Sequence, residues 1–157
     1  HLGVLDGKNV WIIGDVLHSR VARSNILALT KLGAKVTVCG PPTLIPREIE
    51  ALGCAVSYTL DGSNEADVLY VLRLQNERMS SGDSFIPSVG EYARRYQING
   101  DRLGARQLLM HPGPVNRGVE LSPTIADGRP SVILDQVRNG VAVRMAVLYL
   151  LTGRAPE

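Results

Sequence analysis

Asn9-Val10-Trp11-Ile12-Ile13-Gly14-Asp15 is the stretch that decides the fold of this 157-residue chain. A short, largely β-branched run that is apolar at successive positions predicts a strand covered on both faces. Gly14-Asp15 ends that strand. Apolar residues then recur along one helical stripe made of Val21, Ile26, Leu29 and Leu32, and a glycine follows as a C-terminal stop.

The same strand, loop and helix pattern recurs along the rest of the chain. We predict strands at 9–13, 35–39, 55–58, 67–72 and 107–110, and helices at about 19–32, 46–52, 88–96 and 133–151. This alternation favours parallel pairing. The predicted fold is therefore α/β: a doubly wound, mostly parallel five-stranded sheet with helices on both faces, Rossmann-like, in one domain over residues 1–157. Ligands of such sheets bind beyond the carboxyl ends of the strands.

The last predicted helix has a stripe of four apolar residues, interrupted by Asn139-Gly140. An interior glycine costs about 1 kcal/mol relative to alanine. The stripe outweighs that cost and still favours a helix; its members are Val137, Val141, Met145 and Leu148.

Composition excludes several classes of protein. The 17 Lys and Arg against 15 Asp and Glu give a net charge of +2, which is too small to favour nucleic acid or an anionic membrane as a partner. The apolar runs are too short to span a bilayer. Cys39 and Cys54 lack the spacing of metal ligands and lie in strand-like stretches, so we expect buried free thiols. Without a signal-peptide pattern, a cytoplasmic location is expected.

The loop after the first strand is rich in arginine. Arg20 and Arg23 stand one turn apart at the start of a helix, where a cation opposes the positive end of the helix dipole. A bound anion would compensate for this placement. Solvated surface arginines paired with nearby carboxylates are the simpler alternative.

The loop after the fourth strand carries Arg73 and Gln75, which alternate with Leu72 and Leu74. Both polar side chains are therefore expected on one side of the strand's ligand-facing end. The planar fork of an arginine matches a carboxylate. An ion pair between Arg73 and Glu77 would explain the residue equally well.

The loop after the fifth strand begins His111-Pro112-Gly113-Pro114. Two prolines that flank a glycine predict a rigid turn with exposed backbone carbonyls, which can accept hydrogen bonds from an amine or amide. A plain structural turn remains open at this point, as does a packing or capping role for His111.

Taken in register, four segments closely resemble the bacterial aspartate carbamoyltransferase family. They are Gly-Asp-x-x-His-Ser-Arg-Val-Ala-Arg-Ser at 14–24, Leu-Arg-x-Gln-x-Glu-Arg-Met at 72–79, His-Pro-Gly-Pro-x-x-Arg-Gly at 111–118, and Gln-Val-Arg-Asn-Gly-Val-Ala-Val-Arg-Met at 136–145. The resemblance covers essentially the whole chain.

The resemblance implies transfer of a carbamoyl group from carbamoyl phosphate to the amino group of L-aspartate, in pyrimidine biosynthesis, without metal or cofactor. Arg20 and Arg73 would clamp the two carboxylates of aspartate, and Gln75 would orient it. Gly113 and Pro114 would offer backbone carbonyls to the carbamoyl nitrogen, with a cis peptide bond between them. The resemblance assigns no catalytic residue to this half with confidence.

The resemblance also implies partners. The family's carbamoyl-phosphate-binding domain, with its Ser-Thr-Arg-Thr and His-Pro-Thr-Gln segments, is absent from these 157 residues, so the fragment is expected to be inactive alone. The complete enzyme is expected to be a homotrimer, in which a loop of the neighbouring subunit enters the site. A regulatory or dihydroorotase partner is a further expectation.

Three other interpretations remain. Ornithine carbamoyltransferase shares the fold, but its Asp-x-x-x-Ser-Met-Gly and His-Cys-Leu-Pro motifs do not occur here. A non-catalytic, transferase-like scaffold domain would keep the fold without the reaction. A generic nucleotide-binding domain is disfavoured, because the spaced glycine fingerprint of dinucleotide sites is missing.

Overall fold

The structure is a computed structural model that describes residues 1–75, 86, 88–128 and 131–153. Five strands form one sheet in the order β3-β2-β1-β4-β5, and every pairing in it is parallel. The strands are β1 Asn9–Ile13, β2 Lys35–Cys39, β3 Ala55–Ser57, β4 Val68–Val71 and β5 Leu108–Met110. The predicted fold class is confirmed, and each predicted strand lies within one residue of an observed one at either end.

The helices are α1 Arg20–Lys31, α2 Val89–Tyr96, α3 Pro123–Ala126 and α4 Ile133–Thr152, with 3-10 turns at Pro42–Leu44, Ile49–Leu52 and Ser63–Glu65. From β1 the chain first runs outward to β2 and β3. It then returns to the other side of β1 to form β4 and β5. This reversal places the topological switch point between β1 and β4, where open α/β sheets bind their ligands.

The sheet separates two apolar clusters. Val10 and Ile12 of β1 pack in one cluster together with Ile26 of α1. Trp11 and Ile13 point to the other face, into a cluster that includes Tyr92 of α2. Alternate residues of a strand face opposite sides, so the continuous apolar run of β1 is buried by helices on both faces, as the sequence predicted.

One helix prediction is wrong. Residues 46–52 do not form an α-helix; only the 3-10 turn Ile49–Leu52 forms there. Glu48, at the start of that turn, adopts a left-handed conformation with φ of 61°. Because an α-helix requires right-handed φ and ψ at every residue, Glu48 breaks the helix that the proline at position 46 would otherwise begin.

The last helix is confirmed, but its surroundings were not foreseen. No residue of α4 is buried, and the four residues of the predicted stripe are all more than half exposed. The stripe therefore does not contribute to the core of this domain. Among the described residues, no helix has the length and apolar character needed to cross a membrane.

Both cysteines are free and buried, as predicted. Burial raises the pKa of Cys39 to about 12, and its thiol lies 3.1 Å from the carbonyl oxygen of Thr59. Burial also raises the pKa of Cys54. Both thiols are therefore protonated at neutral pH, which makes them poor nucleophiles.

Candidate functional site

Three loops meet at the carboxyl edge of the sheet, one after each of β1, β4 and β5. Gln75 Nε2 donates a hydrogen bond to the carbonyl of His18 at 3.1 Å, which joins the loop after β4 to the loop after β1. Asn116 Nδ2 donates to the carbonyl of Leu74 at 3.1 Å, which joins the loop after β5 to the same segment. The loops singled out in the sequence are therefore connected directly.

Asp15 accepts hydrogen bonds from both segments that this first contact joins. Its side chain is fully buried, and its carboxylate accepts the backbone amide of His18 at 3.1 Å and that of Gln75 at 3.4 Å. The ring nitrogen Nδ1 of His18 lies 2.9 Å from the same carboxylate. The interpretation of the sequence treated Asp15 only as the end of a strand; the signal for its role was an acid directly after a buried strand, three residues before a histidine.

Arg20 is the first residue of α1 and is exposed. Ser19 caps the helix by accepting the amide of Ala22 at 3.1 Å, a bond worth about 1 kcal/mol. No acidic residue stands in the first turn. Arg20 is therefore presented at a positively charged helix start, as expected, and Arg23 is exposed one turn further along.

Arg73 and Gln75 directly follow β4, and both side chains are partly buried. Gln75 reaches His18, two residues before Arg20, so the segments that carry the two arginines are adjacent. The rest of the second motif, including Glu77, lies outside the described residues.

We define the proline loop as residues 111–117. The Gly113-Pro114 peptide bond is cis, in agreement with the resemblance, and Gly113 has a φ of 70°, a conformation that favours glycine. His111 is fully buried, and its Nδ1 accepts the backbone amide of Gly113 at 2.9 Å. His111 therefore caps the turn. At the far end, Arg117 makes two hydrogen bonds to Asp127, at 2.6 and 2.9 Å.

Glu120 lies beneath the proline loop and is also fully buried. Its Oε1 accepts the amide of Asn116 at 2.6 Å and lies 3.3 Å from Nε2 of His111. The role of Glu120 was not foreseen, because its contacts depend on the path of the loop rather than on a sequence pattern.

Tyr92 of α2 completes the floor of the site. Burial, followed by the negative charges of Glu120 and Asp15, raises the pKa of Tyr92 far above its usual value. A Cβ atom at Gly14 would lie 2.9 Å from the Tyr92 hydroxyl, and Gly14 has a φ of 123°. The site therefore requires glycine at the end of β1.

Among residues 1–75, 86, 88–128 and 131–153, no group of three or more His, Cys, Asp or Glu residues is placed to hold a metal ion. The three loops at this edge contain arginines, whose guanidinium forks suit a carboxylate, and backbone carbonyls, which suit a hydrogen-bond donor.

Comparison with known proteins identifies the class. Residues 6–151 match the family described as aspartate/ornithine carbamoyltransferase, Asp/Orn binding domain, and the chain belongs to that family. The match assigns the chain to the carbamoyltransferases rather than to the dinucleotide-binding domains that share the doubly wound architecture.

The curated relatives are similar to this chain and belong to the aspartate branch of the family. The chain is 55% identical over 160 residues to a protein of Anaeromyxobacter sp. (strain Fw109-5), covering 99% of this chain and 50% of the relative. It is 58% identical over 160 residues to one of Gemmatimonas aurantiaca, again covering 99% and 50%. Both are named aspartate carbamoyltransferase catalytic subunit. The chain spans about half the length of these relatives.

Solved structures show the same fold. The catalytic subunit of M. jannaschii aspartate transcarbamoylase matches with a TM-score of 0.74 and 28% identity, covering 94% of this chain and 50% of that one. Aspartate transcarbamoylase from Trypanosoma cruzi in complex with N-(phosphonacetyl)-L-aspartic acid gives the same four values. Ornithine carbamoyltransferase from Pyrococcus furiosus matches with a TM-score of 0.79 and 26% identity, covering 98% and 52%. Fold similarity alone therefore does not separate the two activities.

Proposed function

We propose that these residues form the aspartate-binding half of an aspartate carbamoyltransferase, which transfers the carbamoyl group of carbamoyl phosphate to the amino group of L-aspartate. The observation that carries the proposal is the hydrogen bond from Gln75 to the carbonyl of His18, because it brings the segments with Arg20 and Arg73 together at the switch point of the sheet. The relatives of 55 and 58% identity support aspartate as the amine substrate.

In the reaction, the amine nitrogen of aspartate attacks the carbonyl carbon of carbamoyl phosphate. A carbon–nitrogen bond forms, the carbon–oxygen bond to phosphate breaks, phosphate leaves with the electron pair, and one amine proton is released. Positioning can supply at most about 7 to 11 kcal/mol towards such a step. Arg20 and Arg73 would hold the two carboxylates, and Gln75 would orient the substrate between them.

Gly113 and Pro114 would present backbone carbonyls to the amide group of carbamoyl phosphate. Proline has no amide hydrogen, so the turn offers acceptors without a competing donor at that residue. Nδ1 of His111 accepts the backbone amide of Gly113, and this hydrogen bond within the loop orders the segment that carries the Gly113 and Pro114 carbonyls.

The complete enzyme would need a second domain to bind phosphate and to stabilise the developing oxyanion, often the largest electrostatic contribution to catalysis. The exposed apolar residues of α4 support this, since large contiguous apolar surfaces usually mark an interface. We propose that α4 packs against that domain, in a cytoplasmic homotrimer whose neighbouring subunit completes the site. A regulatory or dihydroorotase partner would act on that trimer.

Radiolabelled carbamoyl transfer by the complete native chain tests the proposal, with L-aspartate and L-ornithine as alternative acceptors. We expect product with aspartate only, because a pocket with two guanidinium groups disfavours the ornithine ammonium group. Product with ornithine alone would show that the protein is an ornithine carbamoyltransferase. No transfer to either amine, with carbamoyl phosphate bound, would favour the scaffold interpretation. The isolated 157 residues are expected to turn over neither.

A further inference from the structure

The buried pair of His111 and Glu120 lies directly beneath the proline loop. Both side chains have no exposed surface. A single oxygen, Glu120 Oε1, accepts the amide of Asn116 at 2.6 Å and lies 3.3 Å from Nε2 of His111. One carboxylate oxygen therefore contacts residues at both ends of the turn.

The contact with His111 continues to the residue that carries a substrate-facing carbonyl. Nδ1 of His111 accepts the amide of Gly113 at 2.9 Å. A backbone amide can only donate, so Nδ1 carries no proton and the ring hydrogen must be on Nε2, the nitrogen that faces Glu120. Nε2 makes no hydrogen bond in the part of the chain that the structure describes, so Glu120 acts on the imidazole ring by the close approach of Oε1 at 3.3 Å.

Glu120 is itself held from the opposite side. Its backbone carbonyl accepts the amide of Ile98 at 3.0 Å, so the residue is anchored to the segment after α2 independently of the proline loop. Asn116, the second residue on Oε1, donates its side-chain amide to the carbonyl of Leu74. The link from the proline loop to the segment that carries Arg73 is thus made by the Asn116 side chain itself, and substitution of Glu120 leaves that hydrogen bond in place.

Burying a carboxylate costs several kcal/mol before its contacts offset the penalty. An apolar side chain of similar length would fill this space without that cost. The contacts that offset this penalty go to the proline loop and to His111, which caps it, so the same contacts also order that loop.

We infer that Glu120 is a positioning residue for the carbamoyl group: it fixes the directions of the Gly113 and Pro114 carbonyls through His111 and Asn116. The inference rests on the proposed function, and it concerns the carbamoyl phosphate side of the site rather than the aspartate side.

The test uses the complete native chain and two substitutions of Glu120. Glu120→Met keeps the length but removes the oxygen from both contacts, whereas Glu120→Gln keeps an oxygen that can accept the backbone amide of Asn116 and lie beside Nε2 of His111. Displacement of a reacting group by about 1 Å can cost about 100-fold in rate. We therefore expect kcat/KM for carbamoyl phosphate to fall about 10- to 100-fold in Glu120→Met, with KM for aspartate changed less than about twofold, and Glu120→Gln to restore most of the loss.

A purely structural role predicts a different result: in folded Glu120→Met, kcat/KM falls by the same factor for carbamoyl phosphate and for aspartate, or does not change for either. Either outcome overturns the inference. Should Glu120→Met fail to fold, His111→Asn replaces it, because the asparagine oxygen can accept the Gly113 amide but cannot reach Glu120. The same selective loss in kcat/KM for carbamoyl phosphate is expected. A loss that affects both substrates equally would overturn the inference. Failure of the wild-type chain to carbamoylate aspartate would refute the proposed function. That result is distinguishable from failure of the inference about Glu120, which is read from the variants of an active enzyme.

Discussion

Asp15 and Gln75 are 60 positions apart in the chain, yet the Asp15 carboxylate accepts the backbone amide of Gln75 at 3.4 Å beneath the candidate aspartate site. The same carboxylate accepts the amide of His18 at 3.1 Å. A fully buried acid thus fixes both loops that carry the proposed arginine clamp.

We expect Asp15→Asn to weaken aspartate use selectively. Asparagine offers one acceptor and one donor where the carboxylate offers two acceptors, so one of the two backbone amides loses its partner. A hydrogen bond to a charged group contributes about 1.5 to 3 kcal/mol, so kcat/KM for aspartate should fall about 10- to 100-fold in the complete chain. Steady-state kinetics with each substrate varied in turn measure this. Asp101→Asn, on an exposed turn, is the control; an unchanged KM for aspartate in Asp15→Asn would contradict the assignment.

Arg20 and Arg23 form a matched pair for testing the clamp, since both are exposed on the first turns of α1. Arg20→Ala should raise KM for aspartate about 10-fold or more, because a hydrogen bond to a charged group contributes about 1.5 to 3 kcal/mol. Arg23→Ala should leave KM nearly unchanged. Equal effects of the two substitutions would show that the helix start attracts the substrate only by its general positive charge.

Gly14 and Tyr92 should be energetically coupled. Gly14→Ala places a Cβ 2.9 Å from the Tyr92 hydroxyl and strains a residue with φ of 123°, so we expect a loss of about 2 to 4 kcal/mol in the free energy of unfolding. Tyr92→Phe alone should be nearly neutral, since the hydroxyl makes no hydrogen bond with the part of the chain that the structure describes.

In the double variant, removal of the hydroxyl should recover part of the loss, because the closest contact disappears while the backbone strain and the contact with the Leu72 carbonyl oxygen at 3.2 Å remain. Urea unfolding of the four proteins gives the coupling energy directly. Strict additivity of the two changes would mean that the close approach at Gly14 does not contribute.

Asp67 should make stability depend on pH. Its Oδ2 accepts the amide of Asn9 at 2.8 Å, and Lys8 lies 3.3 Å from Oδ1. The hydrogen bond to the Asn9 amide, followed by Lys8, lowers the pKa of Asp67 below its ordinary value of 3.8. A lowered folded-state pKa stabilises the protein above the unfolded pKa, and this contribution is lost as the pH falls through the folded one.

Asp67→Asn should therefore lower Tm at pH 7, with the difference from wild type shrinking as the pH falls below about 4. Thermal unfolding between pH 7 and pH 3 checks this. Glu50→Gln on the exposed 3-10 turn should leave the pH profile unchanged. A difference between Asp67→Asn and wild type that stays constant with pH would argue for a packing effect.

The fold could be read from the sequence because its evidence is local. The runs that become β1 and β4 are apolar at nearly every position, and their short length and β-branched residues favour strands covered on both faces. The helix predicted at 46–52 failed at one residue, Glu48, whose left-handed conformation is set by tertiary context. For α4 the periodicity identified an apolar face, but it could not show what that face contacts.

The candidate site was only partly predictable. Arg73 and the proline loop could be placed at the ligand-binding edge of the sheet because each follows a predicted strand, and the carboxyl ends of parallel strands share one edge. Asn116 and Glu120 were missed because their contacts depend on loop geometry and not on spacing along the chain. Asp15 was missed although its position, directly after a buried strand and three residues before a histidine, was a signal in the sequence. The cis peptide at Gly113-Pro114 was foreseen only through resemblance.

Gln136 gives α4 a direct connection to this site. Its Oε1 accepts the backbone amide of His111 at 3.1 Å, and its Nε2 donates to the Tyr70 hydroxyl at 3.0 Å. Ile133 also packs against the core, and the large apolar residues from Val137 onward are exposed to solvent. The first turn of α4 is thus joined by one side chain to the start of the proline loop, so a lateral displacement of the helix at Gln136 would also displace the backbone of His111, the residue that caps the turn.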